Sequence, residues 1–225
     1  MDTTQLIQAL REFSTTELCD GMTEFRVLDP AIHGMAARRK IVGPVFPVEI
    51  PGGVSGIIPD ALLEIRPGQV LVIAAQGYCH KTCWGDYRSF CAAIQQVEGV
   101  VIDGAFRDLE GCEEAGVPIY ARTVVPRAGK KDRVGRINVP VYLGNVQVNP
   151  GDIIVGDADG VVVIVPEEAE NIMARAREKS AREASAIQRM NETGIILPRA
   201  NSSNCVSEMR ELLLLIKKIF PTGCR

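Results

Sequence analysis

The stretch Glu98-GVVIDGAFRD-Leu109 constrains this chain more than any other. Gly99-Val-Val-Ile-Asp103 is a short apolar run of the kind that forms a buried strand. Gly104-Ala105 is predicted to turn the chain, and Asp108-LEGCEEAG reads as a helix closed by Gly116. A strand feeding directly into a helix is the unit of an α/β sheet, and open α/β sheets place ligands at the carboxyl ends of their strands. Asp103, Arg107 and Asp108 are therefore predicted at a strand end and helix mouth, where amides and dipole favour an anionic ligand. An aspartate there also has a purely structural use as a helix N-cap.

A second acid sharpens the functional alternative. Asp86, in Trp84-Gly-Asp-Tyr-Arg88 just after an expected loop rich in Gly and Cys at Gln76-GYCHKTC, precedes the Arg107-Asp108 pair by twenty intervening residues. Two carboxylates beside an arginine suit a divalent cation and an oxyanionic substrate, because hard cations take oxygen ligands and the guanidinium forks onto carboxylate.

Other segments read as turns and caps. Ser14-Thr-Thr-Glu17 is a capping box opening a helix. Pro67-Gly68 and Pro150-Gly151 each precede an apolar strand. Asp157-Ala-Asp-Gly160 starts like a calcium loop but lacks the later acids; lying between Ile153-IVG and Val161-VVIV, it reads as a hairpin turn. A helix is predicted from Pro166 to about Met190, with Ala169, Ile172, Met173, Ala176, Ala184 and Ile187 on one face. Beyond Gly194, Ala200-NSSN reads as a linker and Val206-SEMRELLLLIKKIF as a short amphipathic helix, too short to cross a bilayer.

Composition excludes several classes. With 25 basic against 28 acidic residues and a pI near 5.6, the chain has no cationic footprint for nucleic acid, and Arg38-Arg39-Lys40 and Arg127-AGKKDR read as solvated loops. Cys79, His80 and Cys83 lack a second pair at zinc-ligand spacing, and the remaining histidine is His33. No Walker loop or dinucleotide fingerprint follows a strand. Seven scattered cysteines and a polar start, MDTTQ, predict a reduced, cytoplasmic setting.

Taken together, the Asp86 and Arg107-Asp108 spacing, Ser14-TTELCDGM, Arg66-PGQVLVI, Val101-IDGAFRD and Val148-NPGDIIVGDADGVVVIVP resemble the RraA-like family over about residues 5–190. That family includes 4-hydroxy-4-methyl-2-oxoglutarate aldolases and regulators of ribonuclease activity. The resemblance implies an α/β fold, a single-domain layered α-β-β-α sandwich of the swivelling type, over residues 1–194, with an extension at 195–225. It implies a homotrimer or hexamer with sites between subunits, acting on a small 2-oxo acid; the charge balance and the short apolar runs predict no nucleic-acid and no membrane partner. It also implies a magnesium or manganese ion held by Asp108 and Asp86, and Arg107 binding substrate and stabilising enolate charge. The amides around Tyr87 and Arg88 would cradle the substrate carboxylate, and Glu178 or Glu183 would reach a neighbouring subunit's site. The expected reaction is retro-aldol cleavage of 4-hydroxy-2-oxo diacids to pyruvate, with oxaloacetate decarboxylation through the same enolate. The alternative is a non-catalytic regulator that inhibits a ribonuclease by protein contact. Gln76-GYCHKTC and Pro51-GGVSGIIPDALLEI depart from the aldolase pattern, which leaves the natural substrate open.

Overall fold

The computed structural model describes residues 2–194 and 196. Met1–Lys179 forms one compact unit and the chain from Ser180 a second, so the expected linker and helix after residue 200 lie outside the described residues.

The first unit is built from strands whose apolar residues have no polar face. In β3 (Val70–Trp84), Leu71 and Ile73 point into one hydrophobic cluster and Val70, Val72 and Ala74 into another. In β4 (Gly99–Phe106), Val100 and Ile102 join the first cluster and Val101 the second. In β9 (Ile153–Asp157) and β10 (Gly160–Ile164), Ile154, Val161 and Val163 meet the second cluster, whereas Ile153, Val155, Val162 and Ile164 face a third. Since side chains alternate along a strand, three apolar interfaces require four layers, helix, strand, strand, helix. This is the α-β-β-α arrangement that the family resemblance implies.

One strand links the two β layers. β2 (Ile41–Glu49) pairs antiparallel with β9 through Ile41–Pro44 and parallel with β3 through Val45–Glu49. Pro44 is the last residue of the β9 pairing, and proline, which removes a ladder donor, belongs where pairing is interrupted. With β1 (His33–Ala36) and β5 (Ile119–Val124), the strand order is β1-β5-β4-β3-β2-β9-β10, with β6 (Arg136–Ile137) beside β2. β7 (Val141–Leu143) and β8 (Val146–Val148) form a separate hairpin.

The outer layers are helical. α1 (Thr3–Leu10), α2 (Thr15–Gly21) and the first part of α6 (Pro166–Thr193) cover β9 and β10, while α3 (Ile58–Glu64), α4 (Asp86–Ile94) and α5 (Leu109–Ala115) cover β3 and β4. The Ser14 capping box forms as expected, and Asp2 and Gln5 form another that opens α1. The Asp157–Gly160 hairpin and the left-handed Gly116 closing α5 also match the sequence reading. α6 runs to Thr193, slightly beyond the expected end. Ala169, Ile172, Met173 and Ala176 are buried, whereas Ala184 and Ile187, in the second unit, are exposed. No described helix is long and apolar enough to cross a membrane.

Two local expectations are corrected. Gly104-Ala105 does not turn the chain, because β4 continues to Phe106. The Gln76–Lys81 region is part of β3 rather than a loop before Trp84. Ile73 pairs with Ile102 and Trp84 with Phe106, so the intervening β3 residues exceed those of β4 and bulge out on either side of Tyr78.

Candidate active site

β3 and β4 run parallel and end side by side at Trp84 and Phe106. From Trp84 the chain passes through Gly85 into α4, whose first residue is Asp86. From Phe106 it passes through Arg107 and Asp108 into α5. The twenty-residue spacing is thus one crossover: the rest of α4, a short turn and β4. It places Asp86 and the Arg107-Asp108 pair at equivalent junctions of neighbouring strands, lining one cleft of about 700 Å³ with Tyr87 and Arg88. A cleft of this size accommodates a small metabolite.

Asp103 is the exception among the residues expected at this end. It lies within β4, is buried, and accepts a hydrogen bond from Arg122 Nε at 2.5 Å while Arg122 Nη1 reaches Asp29 at 3.0 Å. Because β4 runs three residues further than expected, Asp103 is part of the interior rather than of the cleft.

Asp108 occupies the N-cap position without capping. Its backbone is left-handed, φ 57° and ψ 51°, and its side chain makes no capping hydrogen bond. The carboxylate instead meets Arg107 Nε at 3.1 Å. Both side chains of this pair are about two-fifths exposed, and an ion pair in that setting contributes at most about 1 kcal/mol. A non-glycine residue in the left-handed region costs roughly 1 kcal/mol or more, and such strain clusters at functional sites. Aspartate is among the few side chains that enter this region readily, and neither capping nor the ion pair engages more of its carboxylate than the single contact with Arg107.

Two glycines let the acids approach. A Cβ on Gly85 would lie 2.8 Å from Asp108 Oδ2, and one on Gly111 would lie 2.7 Å from Asp86 Cβ. Gly111→Ala improves helix propensity by about 1 kcal/mol, offsetting much of the overpacking, so stability is expected to hold while Asp86 is displaced. Turnover is expected to fall roughly tenfold with the unfolding midpoint little changed, read by parallel kinetic and thermal measurements.

The proposed carboxylate cradle is partly engaged within the chain. Asp86 Oδ1 accepts from the Tyr87 amide at 2.6 Å, so a substrate carboxylate using that amide would displace it. The Arg88 guanidinium donates to Cys83 O at 2.7 Å and to Ser55 O at 3.0 Å. Its side chain therefore clamps the cleft wall, and burial pushes its pKa below the ordinary arginine value.

The opposite wall is held by backbone bonds. Thr82 N donates to Arg127 O at 2.9 Å, Lys130 N to Gly53 O at 2.8 Å and Ser55 N to Lys130 O at 3.0 Å. Arg127-AGKKDR is therefore a structured edge of the cleft, with Lys131 among its lining residues, and not merely a solvated loop.

Beneath the acids lies a buried polar group that sequence reasoning missed. Trp84 Nε1 donates to Ser89 Oγ at 2.8 Å, Ser89 Oγ lies 3.4 Å from Cys112 Sγ, and Cys112 Sγ donates to Arg107 O at 3.4 Å. Burial pushes the Cys112 thiol up to about 11, the Asp86 and Asp108 charges adding to the rise while the Ser89 hydrogen bond opposes it.

Among the described residues no group of three or more His, Cys, Asp or Glu side chains forms a metal-binding set. Asp86 and Asp108 supply two carboxylates, which fits a magnesium-type ion, since that ion is commonly held by one or two carboxylates with water and substrate in the remaining positions. Glu178 and Glu183 both lie exposed on α6.

Comparison with known proteins agrees with this architecture. A protein of Halalkalibacterium halodurans, provisionally named 4-hydroxy-4-methyl-2-oxoglutarate aldolase, is 36% identical over 175 residues, covering 78% of this chain and 83% of the relative. The crystal structure of Streptomyces coelicolor RraAS2, described as an unusual member of the RNase ES inhibitor RraA family, superposes with a TM-score of 0.74 at 28% identity. That match covers 82% of this chain and 98% of RraAS2. The RNA-processing inhibitor RraA of Thermus thermophilis gives a TM-score of 0.62 at 27% identity, over 68% and 92% of the two chains. The RraA-like family model, described as Aldolase/RraA, matches residues 15–163, the span that contains both strand-to-helix junctions and the turn between β9 and β10, and the chain belongs to that family.

Proposed function

We propose that the protein is a divalent-metal-dependent lyase that cleaves 4-hydroxy-2-oxo diacids of the 4-hydroxy-4-methyl-2-oxoglutarate type to pyruvate. The observation that carries this reading is the meeting of Asp86 with Arg107-Asp108 in one cleft, with the Asp108 carboxylate uncapped on a strained backbone. The aldolase name of the Halalkalibacterium relative supports it further.

Asp108 and Asp86 are the residues that would hold magnesium or manganese. Bound there, the ion would supply Lewis-acid polarisation of the 2-oxo group. Arg107 commits Nε to Asp108 and keeps its two Nη groups for the C2 oxygen, where negative charge develops. As the C3–C4 bond breaks, its electron pair forms the C2–C3 enolate, and the C4 hydroxyl becomes a carbonyl. Asp86 accepts the hydroxyl proton through a water, and protonation of C3 then gives pyruvate. Oxaloacetate reaches the same enolate by losing its C4 carboxylate as carbon dioxide.

The test is pyruvate release from both compounds with magnesium, with manganese and with a chelator. Release in either metal, suppressed by the chelator and restored by excess metal, is expected; release indifferent to chelation would refute metal dependence.

The reading extends to a homotrimer or hexamer. Tyr87 and Ile94, 78% and 81% exposed, border the cleft with Leu63, and large apolar side chains grouped this way suit burial by a neighbouring subunit. Light scattering should give a trimer or its multiple, and a monomer at working concentration would contradict a shared site.

A second reading, a regulator that binds a ribonuclease, is supported by the names of the Streptomyces and Thermus structures. It needs no convergence of Asp86 and Asp108. Tight association with a ribonuclease complex together with no metal-dependent pyruvate release would favour it.

A further inference from the structure

We propose that Trp84, Ser89 and Cys112 form a buried hydrogen-bond chain that positions both acids of the cleft, with Ser89 and Cys112 acting as positioning residues for the lyase reading on which this inference rests. Each of the three side chains is 2% exposed or less. Trp84 Nε1 can only donate, so at 2.8 Å it fixes Ser89 Oγ as acceptor and leaves the single serine hydrogen for one of two partners. One is Gly85 O at 3.3 Å, the other Cys112 Sγ at 3.4 Å.

Both choices lead to a peptide that enters an acid. Gly85 O belongs to the peptide that precedes Asp86. Cys112 in turn donates to Arg107 O at 3.4 Å, and that carbonyl belongs to the peptide that precedes Asp108. The φ angle of Asp108 is the rotation of the residue about the end of that peptide. Fixing the carbonyl therefore helps hold the residue at φ 57°, the conformation that frees its carboxylate from capping. The Arg107 amide, donating to Trp84 O at 3.2 Å, ties the same segment to the end of β3. Trp84 thus anchors both ends of the arrangement, through its main chain to Arg107 and through its indole to Ser89.

A thiol that only fills space would make no distinction between serine and alanine in its place, because both are smaller and differ by one hydroxyl. Cys112→Ser keeps a donor, while Cys112→Ala removes it. In the alanine variant kcat is expected to fall about threefold to tenfold, the scale of one modest hydrogen bond, with KM nearly unchanged. The serine variant should stay within about twofold of the parent. Ser89→Ala, which leaves the thiol in place, should reproduce the fall in kcat and keeps the idea testable if Cys112→Ala does not fold.

A readout independent of activity is the crystal structure of each variant. Loss of the left-handed Asp108 or of its contact with Arg107 in the alanine variant, with retention in the serine variant, is expected. Alanine and serine variants alike in both kcat and Asp108 geometry would overturn the proposal. A parent protein that releases no pyruvate would instead overturn the lyase reading, and the Asp108 geometry would still decide this inference.

Discussion

Asp108→Gly is expected to abolish metal-dependent turnover while raising the thermal unfolding midpoint. Activity goes because the carboxylate proposed to hold the metal is removed. Stability rises because glycine enters the left-handed region without the penalty an aspartate carries at φ 57°. The relieved strain, roughly 1 kcal/mol or more, exceeds what a pair this exposed to solvent contributes. In a protein of this size 1 kcal/mol corresponds to a shift of roughly 2–4 °C, within reach of calorimetry. Asp108→Ala should lose activity equally without the gain, since alanine keeps the strained backbone. Were Asp108 a structural cap, glycine would leave activity in place and alanine would unfold the start of α5. Opposite movement of activity and stability is the pattern of a residue retained for function.

Arg107→Ala should lower kcat by on the order of a hundredfold or more, because it removes a donor aimed at charge that develops on the C2 oxygen. The effect belongs in kcat more than in KM if the guanidinium meets the enolate more strongly than the ground-state carbonyl. Arg107→Lys should recover little, since a single ammonium cannot bond the Asp108 carboxylate and a substrate oxygen in the same fixed fork. Stability should change little, the side chain being about two-fifths exposed. An alanine variant that loses stability and keeps its kcat would assign Arg107 a structural role only.

The central strands were legible because burial leaves a plain mark, while their layering followed only from the family resemblance. The continuous apolar runs at Val70–Ile73, Val100–Ile102 and Val161–Ile164 have no polar alternation, and each proved to lie between two hydrophobic clusters. Caps and turns such as Ser14, Gly116 and Asp157–Gly160 were legible for local reasons, each involving residues close in sequence. The Asp2–Gln5 capping box had the same kind of signal and could have been found that way.

What escaped was set by pairing between distant segments. Nothing local in Gln76-GYCHKTC says that it continues β3; the bulge appears only when β3 is laid against the shorter β4. Asp103 looked equivalent to Asp108 until the length of β4 and its partner Arg122, nineteen positions away, placed it inside. The cleft wall at residues 127–132 is held through backbone groups, which carry no residue-type signature. Ser89 and Cys112 are ordinary small residues in sequence, and Gly85 and Gly111 become informative only through the side chains packed against them.

The most direct test of the central claim is pyruvate release from 4-hydroxy-4-methyl-2-oxoglutarate, measured side by side for the parent protein and Asp108→Gly with saturating magnesium and with chelator. The parent should release pyruvate only with metal, and the variant none even though it melts at the higher temperature. Equal release by the two proteins, or release by the parent unaffected by chelation, would contradict that claim.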